Sequence, residues 1–220
     1  MANLLKRYSI ATLGLILVAL GVAVSLKSNL GTSPISCLPA VLNIRWPQIS
    51  FGQFTWAFNF SLIALQLLLL RRRFRWADLM QIPAVILFGA LCDLALWLVR
   101  DLPADSIILQ YIWCLVAIFI TAVGLRIEIN GNAWMLSGDK TVAVISDVSH
   151  KPFSTIKVWA DLFLVIFAVI FAWIAFGNLF GDGNTNVIRE GTLLLAMLTG
   201  LCMKLTDPLI NRLFQTHLTH

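Results

Sequence analysis

Long apolar runs alternate with short polar segments along the chain, and the lengths of the runs predict membrane-spanning helices. A helix needs about 20 apolar residues to cross a bilayer. Six stretches approach this length, the last of them rather short: residues 9–26, 51–70, 79–99, 107–125, 158–176 and 191–205. The first run also fits a signal peptide, but the apolar runs that follow favour a retained helix. The pattern predicts an all-α membrane protein with about six transmembrane helices.

Two polar segments interrupt this pattern at places where little room is left for an ordinary loop. Residues 31–39 read GTSPISCLP, and residues 134–141 read WMLSGDKT. Irregular backbone at membrane depth is tolerated only where it is buried in protein or lines a cavity. We therefore expect two broken or re-entrant segments, non-helical at Gly31, Pro34 and Gly138. Each should start a short helix directed into the bundle and line a substrate site.

The second half of the chain repeats the plan of the first. A shift of 103 positions places Gly21 on Gly124, Ser36 on Asp139, and Trp56-Ala57 on Trp159-Ala160. Chance matches are common in apolar helices, so duplication and coincidence both stay open. If the duplication is real, three crossings per half give two repeats of opposite orientation, as in many secondary transporters. Repeat 1 would cover about residues 9–100 and repeat 2 about 107–212, within a single membrane domain of residues 1–220.

Composition and charge agree with a membrane protein. Hydrophobic residues make up 59% of the chain and charged residues 12%, whereas soluble domains carry about 25% charge. The net charge of +5 would suggest nucleic acid in a soluble protein, but in a membrane protein excess Lys and Arg record orientation. With six crossings, 12 of the 16 basic residues fall on the inner side. This predicts a multi-pass protein of the bacterial inner membrane with both termini cytoplasmic, a lipid bilayer as its surroundings and no nucleic-acid partner.

Polar and ionisable residues within or beside the apolar runs are the candidates for function. A charged side chain at bilayer depth costs roughly 2.5 to 3.5 kcal/mol, so it needs a partner or a water-filled cavity. The candidates for substrate binding or coupling are Gly31, Thr32, Ser33, Ser36, Asp93, Ser137, Asp139, Lys140 and Asp161. For the acids, structural pairing or helix capping stays open beside function. Asn59 is better explained as a helix-to-helix hydrogen bond.

Nothing in the sequence predicts an enzyme, a metal site or a cofactor. The three histidines lie at or beyond the membrane edges, and the four cysteines lie in apolar surroundings without ligand spacing. Residues 182–193 begin like a calcium loop, but Val187 and Leu193 stand where a glycine and an acid are required. The arginine run at 71–75 favours a stop-transfer anchor over an anionic-lipid site.

Several short motifs together resemble the YczE/YyaS/YitT group of bacterial integral membrane proteins. They are GTSP at 31–34, SFG at 50–52, Gly89 followed by Asp93, and REGT at 189–192. Members of the group commonly have an acid where this chain has Ser36. The resemblance implies a multi-pass inner-membrane protein that acts as a transporter.

Two functional interpretations remain open from the sequence. One is a small secondary transporter of a small polar or anionic solute, proton-coupled through Asp93 or Asp139. The other is a non-transporting accessory or scaffold membrane protein. The sequence does not define the solute, the direction of transport or the coupling ion, and a homo-oligomer stays open.

Overall fold

A computed structural model describes residues 2–71, 74, 79–179, 181–183 and 185–218. These residues form eight helices and no strand, which confirms the all-α class. The helices are α1 (Ala2–Lys27), α2 (Pro34–Arg45), α3 (Phe51–Leu70), α4 (Gln81–Leu98), α5 (Ile107–Gly131), α6 (Ser137–Ser149), α7 (Phe153–Phe176) and α8 (Glu190–Leu218). Arg72, Arg73 and Arg75 of the predicted anchor lie outside the described residues.

Five of the helices are long and apolar enough to cross a membrane: α1, α3, α4, α5 and α7. The apolar part of α8, Glu190–Met203, is shorter than the roughly 17 residues that a crossing helix requires. The chain is therefore a multi-pass helical membrane protein by the length and composition of its helices. A sixth crossing in α8 stays a prediction.

The first predicted break lies between α1 and α2, where the sequence placed it. Asn29 and Gly31 have positive φ angles of 58° and 117°, the left-handed region that few side chains tolerate. A Cβ atom at Gly31 would also lie 3.0 Å from the backbone nitrogen of Arg189. Helix α2 already begins at Pro34, so the prediction that the backbone is non-helical at Pro34 is wrong. Proline suits a first helical position because its missing N–H would have had no partner there.

The second break lies slightly earlier than predicted. Asn132 ends α5 in the left-handed conformation, and α6 already begins at Ser137. Gly138 is therefore helical, and the prediction that the backbone breaks there is wrong. The turn is made by Asn132, one of the residues that tolerates positive φ. Gly138 instead provides close packing, because a Cβ atom there would overlap Cδ1 of Ile35 in α2.

The contacts group the chain into two compact units. The first unit comprises Met1–Ser33, Leu94–Trp134 and Arg189–His220, and the second comprises Pro34–Asp93 and Met135–Ile188. In the first unit α1 packs along α5, and α5 packs on α8. In the second unit α2 packs on α7 and α3, while α6 packs on α3 and α7.

Glycines bring α1 and α5 into close contact within the first unit. A Cβ atom at Gly14 would lie 2.6 Å from the carbonyl oxygen of Gly124, and one at Gly131 would lie 2.6 Å from the backbone nitrogen of Ala11. One at Gly21 would lie 3.0 Å from the backbone nitrogen of Thr121. Since contacts further along α1 meet residues earlier in α5, the two helices run antiparallel. Small residues at such a crossing allow the close backbone approach that stabilises helix pairs in membranes.

Candidate functional site

Five buried polar side chains of the second unit bond to one another, and we call them the polar cluster. They are Asn59, Gln66, Gln81, Ser137 and Thr141. The side-chain nitrogen of Gln66 donates to Thr141 Oγ1 at 2.9 Å and to the carbonyl oxygen of Ser137 at 3.1 Å. The side-chain nitrogen of Gln81 donates to Gln66 Oε1 at 2.9 Å. The polar cluster thus joins the first turn of α6 to α3 and α4.

Ser137 and Asn59 complete the polar cluster. The Ser137 hydroxyl donates to Asn59 Oδ1, while the Asn59 amide donates to the carbonyl oxygen of Thr55 at 2.7 Å. The prediction that Asn59 makes a helix-to-helix hydrogen bond is confirmed. Ser137, predicted as a site residue, uses its hydroxyl to hold α6 against α3.

Two of the predicted acids are brought together by a lysine, and we call these three residues the charge cluster. Lys157 Nζ lies 3.0 Å from Asp139 Oδ1 and 3.2 Å from Asp161 Oδ1. Asp139 lies in the first turn of α6, and the other two side chains lie one turn apart on α7. With two carboxylates and one ammonium group, the charge cluster has a net charge of −1.

The charge cluster is only partly shielded. The side chains of Asp139, Lys157 and Asp161 are 39%, 35% and 20% exposed. Pairs at this exposure add little to stability in water, but an unpartnered charge in a bilayer is expensive. Lys140 directly follows Asp139 in the sequence and is half-buried. The ion pair of Asp139 is with Lys157.

Asp93 acts as part of the N-terminal cap of α3. Its carboxylate accepts a hydrogen bond from Ser50 Oγ and another from the backbone nitrogen of Gly52, both at 2.6 Å. Ser50 is the N-cap residue of α3 and forms a capping box with Gln53. The first N–H groups of a helix lack intrahelical partners, and a negative charge there is favourable. The geometry matches the capping alternative for Asp93.

The first break is held by contacts within the first unit. The Thr32 and Ser25 hydroxyls lie 2.8 Å apart, and Gly191 at the start of α8 donates its N–H to the carbonyl oxygen of Leu30 at 2.9 Å. The half-buried Ser33 directly precedes α2, and the buried Ser36 lies in its first turn. Gly31, Thr32 and Ser33 belong to the first unit, whereas the other six predicted site residues belong to the second.

The starts of the two short helices meet in the second unit. Ile35 is the second residue of α2, Gly138 is the second residue of α6, and the side chain of Ile35 packs directly on Gly138. Each helix N-terminus carries a partial positive charge from its aligned peptide dipoles. The contact therefore places two positively polarised helix ends side by side.

Sequence reasoning missed the residues that organise these clusters. Lys157 precedes Asp161 by four positions, a spacing that predicts an ion pair on a helix. Gln66 stands alone in an apolar run, which marks a buried hydrogen-bonding position. Within the described ranges, no three His, Cys, Asp or Glu side chains form a group that could hold a metal ion.

Comparison with known proteins identifies a family but no characterised relative. Neither the curated proteins nor the solved structures give a match. The resemblance to the YczE/YyaS/YitT group stays a prediction. The profile of a family of unknown function, DUF6198, matches residues 5–208. Since this match covers most of the chain, the protein belongs to the DUF6198 family.

Proposed function

We propose that this protein is a small secondary transporter of the bacterial inner membrane that moves a small polar or anionic solute. The observation that carries the proposal is the meeting of α2 and α6, two short helices that each follow a break in the chain. Discontinuous helices that meet inside a bundle are how many secondary transporters form a substrate site.

Contacts within the first unit support an inverted repeat. A Cβ atom at Gly124 would lie 2.7 Å from the backbone nitrogen of Val18, and one at Gly21 would lie 3.0 Å from that of Thr121. The shift of 103 positions converts Val18 into Thr121 and Gly21 into Gly124. The two contacts are therefore equivalent to each other under the shift, as a twofold relation between the repeats requires.

The second unit supports the same relation. Ile35 and Gly138 are 103 positions apart, so they are equivalent positions in the two repeats. A contact between equivalent positions is what a twofold axis passing between them produces. The same shift converts α2 into α6 and α3 into α7. The packing of α2 on α7 therefore corresponds to that of α6 on α3, and the packing of α2 on α3 corresponds to that of α6 on α7. All four packings are present. Opposite orientation of the repeats would bring one short helix in from each side of the membrane.

The chemistry proposed for the site follows from the helix ends and the charge cluster. The starts of α2 and α6 favour an anionic group through their aligned peptide dipoles. An anion that attracts Lys157 would weaken its ion pairs with Asp139 and Asp161, and we propose that these two carboxyl groups carry the coupled proton. We assign coupling to this pair rather than to Asp93, whose carboxylate is engaged at the start of α3.

Transport is tested in liposomes that contain the purified protein and a pH-sensitive dye. Gradients of chloride, nitrate, sulfate, phosphate, acetate, lactate, succinate and individual amino acids are imposed in turn. We expect at least one solute to drive proton movement above that of protein-free liposomes. Asp139→Asn and Asp161→Asn should each slow that movement about tenfold or more, because either change removes a protonatable group.

Asp105→Asn is the matched control, because Asp105 is an exposed residue of the α4–α5 loop and should keep the wild-type rate. Wild-type rates in both cluster variants would reject the coupling role. Failure of the wild type to move any solute would reject the proposal and favour a non-transporting accessory protein. The polar cluster favours that second candidate, since its side chains bond to one another rather than line an open space.

Six crossings with both termini in the cytoplasm are the topology that this proposal requires. A reporter fused after His220 should be active in a form that works only in the cytoplasm, and a form that works only in the periplasm should be silent. A second fusion in the 177–186 loop should give the opposite result. A C-terminus on the periplasmic side would leave α8 without a crossing and remove the inverted repeat.

A further inference from the structure

One face of α3 lines an apolar groove in the second unit that the proposed transport site does not use. The groove has a volume of about 520 Å³ and is lined by Phe60, Ile63, Ala64, Leu67, Arg71, Phe74 and Leu79. A volume of about 300 to 1,000 Å³ is typical of sites for small organic ligands. The first four lining residues recur at the three- and four-residue spacing of one helix face.

The groove has the length of one membrane leaflet. The lining residues extend from Phe60 in α3 to Arg71, the residue that caps its C-terminus, which corresponds to about 16 Å at 1.5 Å per residue. The hydrocarbon core of a bilayer is about 30 Å thick. A groove along this part of α3 therefore matches the depth of a single acyl chain. Phe60 and Leu67 are 40% and 51% exposed, so the groove is open at its side.

A positively charged side chain, that of Arg71, lies at one end of the groove. Arg71 is exposed and ends α3, where its own N–H bonds to the carbonyl oxygen of Leu67. Its guanidinium has no ion-pair partner among the residues that the structure describes. Arginine binds phosphate through paired charge-assisted hydrogen bonds, and three further arginines follow within four positions of the sequence.

We propose that the groove binds one molecule of an anionic phospholipid, with an acyl chain along α3 and the headgroup phosphate at Arg71. An apolar groove alone would accept a chain of any lipid. The arginine at its end adds selectivity for a headgroup with net negative charge over a zwitterionic one. This site is independent of the proposed transport function.

Native mass spectrometry of the purified full-length protein tests the site. The protein is incubated with equal amounts of phosphatidylglycerol and phosphatidylcholine that carry the same acyl chains. We expect one phosphatidylglycerol per chain to be retained, and Arg71→Gln to lower its retention about tenfold, the typical effect of losing a charged hydrogen bond. Ala64→Trp should lower the retention of both lipids, because it fills the groove.

Two control variants separate the site from general effects. Lys151→Gln removes one exposed positive charge, and Leu68→Trp places the same tryptophan side chain at a neighbouring position of α3 that does not line the groove. Both should retain phosphatidylglycerol as the wild type does. A large excess of glycerol 3-phosphate should not displace the lipid, because it lacks the acyl chain.

Equal retention of the two lipids by the wild type would overturn the proposal, and so would unchanged retention in Arg71→Gln. The same holds if Leu68→Trp acts like Ala64→Trp or if glycerol 3-phosphate displaces the lipid. Thermal unfolding of each variant in detergent establishes that it is folded. If Ala64→Trp does not fold, the smaller Ala64→Leu replaces it with the same expectation.

Discussion

Gly14→Leu is expected to prevent the protein from accumulating in a folded form. Already the first added carbon would lie 2.6 Å from the carbonyl oxygen of Gly124 and 2.7 Å from Cα of Glu128. Both are backbone atoms, so relief requires α1 and α5 to move apart along their shared interface. Forcing extra carbons into a packed core costs about 1 to 3 kcal/mol when side chains can shift, and here the obstacle is a helix backbone.

The size of the effect follows from the marginal stability of folded proteins, about 5 to 15 kcal/mol in total. We expect Gly14→Leu to lose more than 3 kcal/mol, and Gly124→Leu to behave in the same way. The measurement is size-exclusion chromatography of fluorescently tagged protein, followed by thermal unfolding of any monodisperse fraction. A monodisperse variant with the wild-type unfolding temperature would contradict the α1–α5 contact.

Gly200→Leu provides the matched control. Gly200 also lies inside a helix, but a Cβ atom there meets no heavy atom within 4 Å. Leucine has a higher intrinsic helix propensity than glycine. The control should therefore unfold at the wild-type temperature or slightly above it. The comparison isolates the packing at Gly14 from the general effect of replacing a glycine.

Much of the fold could be predicted from the sequence because crossing helices leave a strong local signal. Apolar runs of the required length located α1, α3, α4, α5 and α7, and the turn residues from Gly31 to Pro34 located the first break. The second break was placed too late because Gly138 was interpreted as a turn residue. Gly138 instead allows the side chain of Ile35 to pack closely against α6. These residues are about a hundred positions apart in the sequence, and hydropathy carries no information on such contacts.

The candidate site was less accessible to sequence reasoning. Asp139 and Asp161 could be selected because charges within apolar surroundings stand out, but their common partner Lys157 could not be assigned without the packing of α6 on α7. Asp93 stood out for the same reason, although the structure places it on the cap of α3. The polar cluster was missed because an uncharged Gln66 costs less in a membrane than a charge and therefore gives a weaker signal.

Gln66→Leu is expected to destabilise the second unit by about 2 to 4 kcal/mol, since it removes the central member of the polar cluster. Interhelical hydrogen bonds in membrane proteins contribute about 0.6 kcal/mol on average and up to 1.7, and partners left unsatisfied in the interior add to the loss. The side-chain nitrogen of Gln66 lies within hydrogen-bonding distance of three acceptors, and its Oε1 accepts a hydrogen bond from Gln81. Thermal unfolding in detergent should show a decrease of roughly 5 to 15 °C.

Two further variants identify the cause of that decrease. Gln110→Leu makes the same chemical change at a half-buried position where the side chain donates one hydrogen bond, to the carbonyl oxygen of Ala104, and should cost about 1 kcal/mol. The double variant Gln66→Leu/Gln81→Leu should recover part of the lost stability, because replacing both partners by apolar groups is less costly than removing one. Strict additivity of the two single changes would show that the amides do not interact.

Gln66→Leu should also affect the charge cluster, although Gln66 does not belong to it. Gln66 bonds to Ser137 and Thr141, and Asp139 lies between them in the first turn of α6. Loss of these bonds frees that turn to move, and the 3.0 Å contact between Asp139 and Lys157 depends on its position. We therefore expect Gln66→Leu to slow proton-coupled movement in liposomes below the temperature at which it unfolds, while Gln110→Leu leaves the rate unchanged. A wild-type rate in a destabilised Gln66→Leu protein would show that the polar cluster serves folding alone.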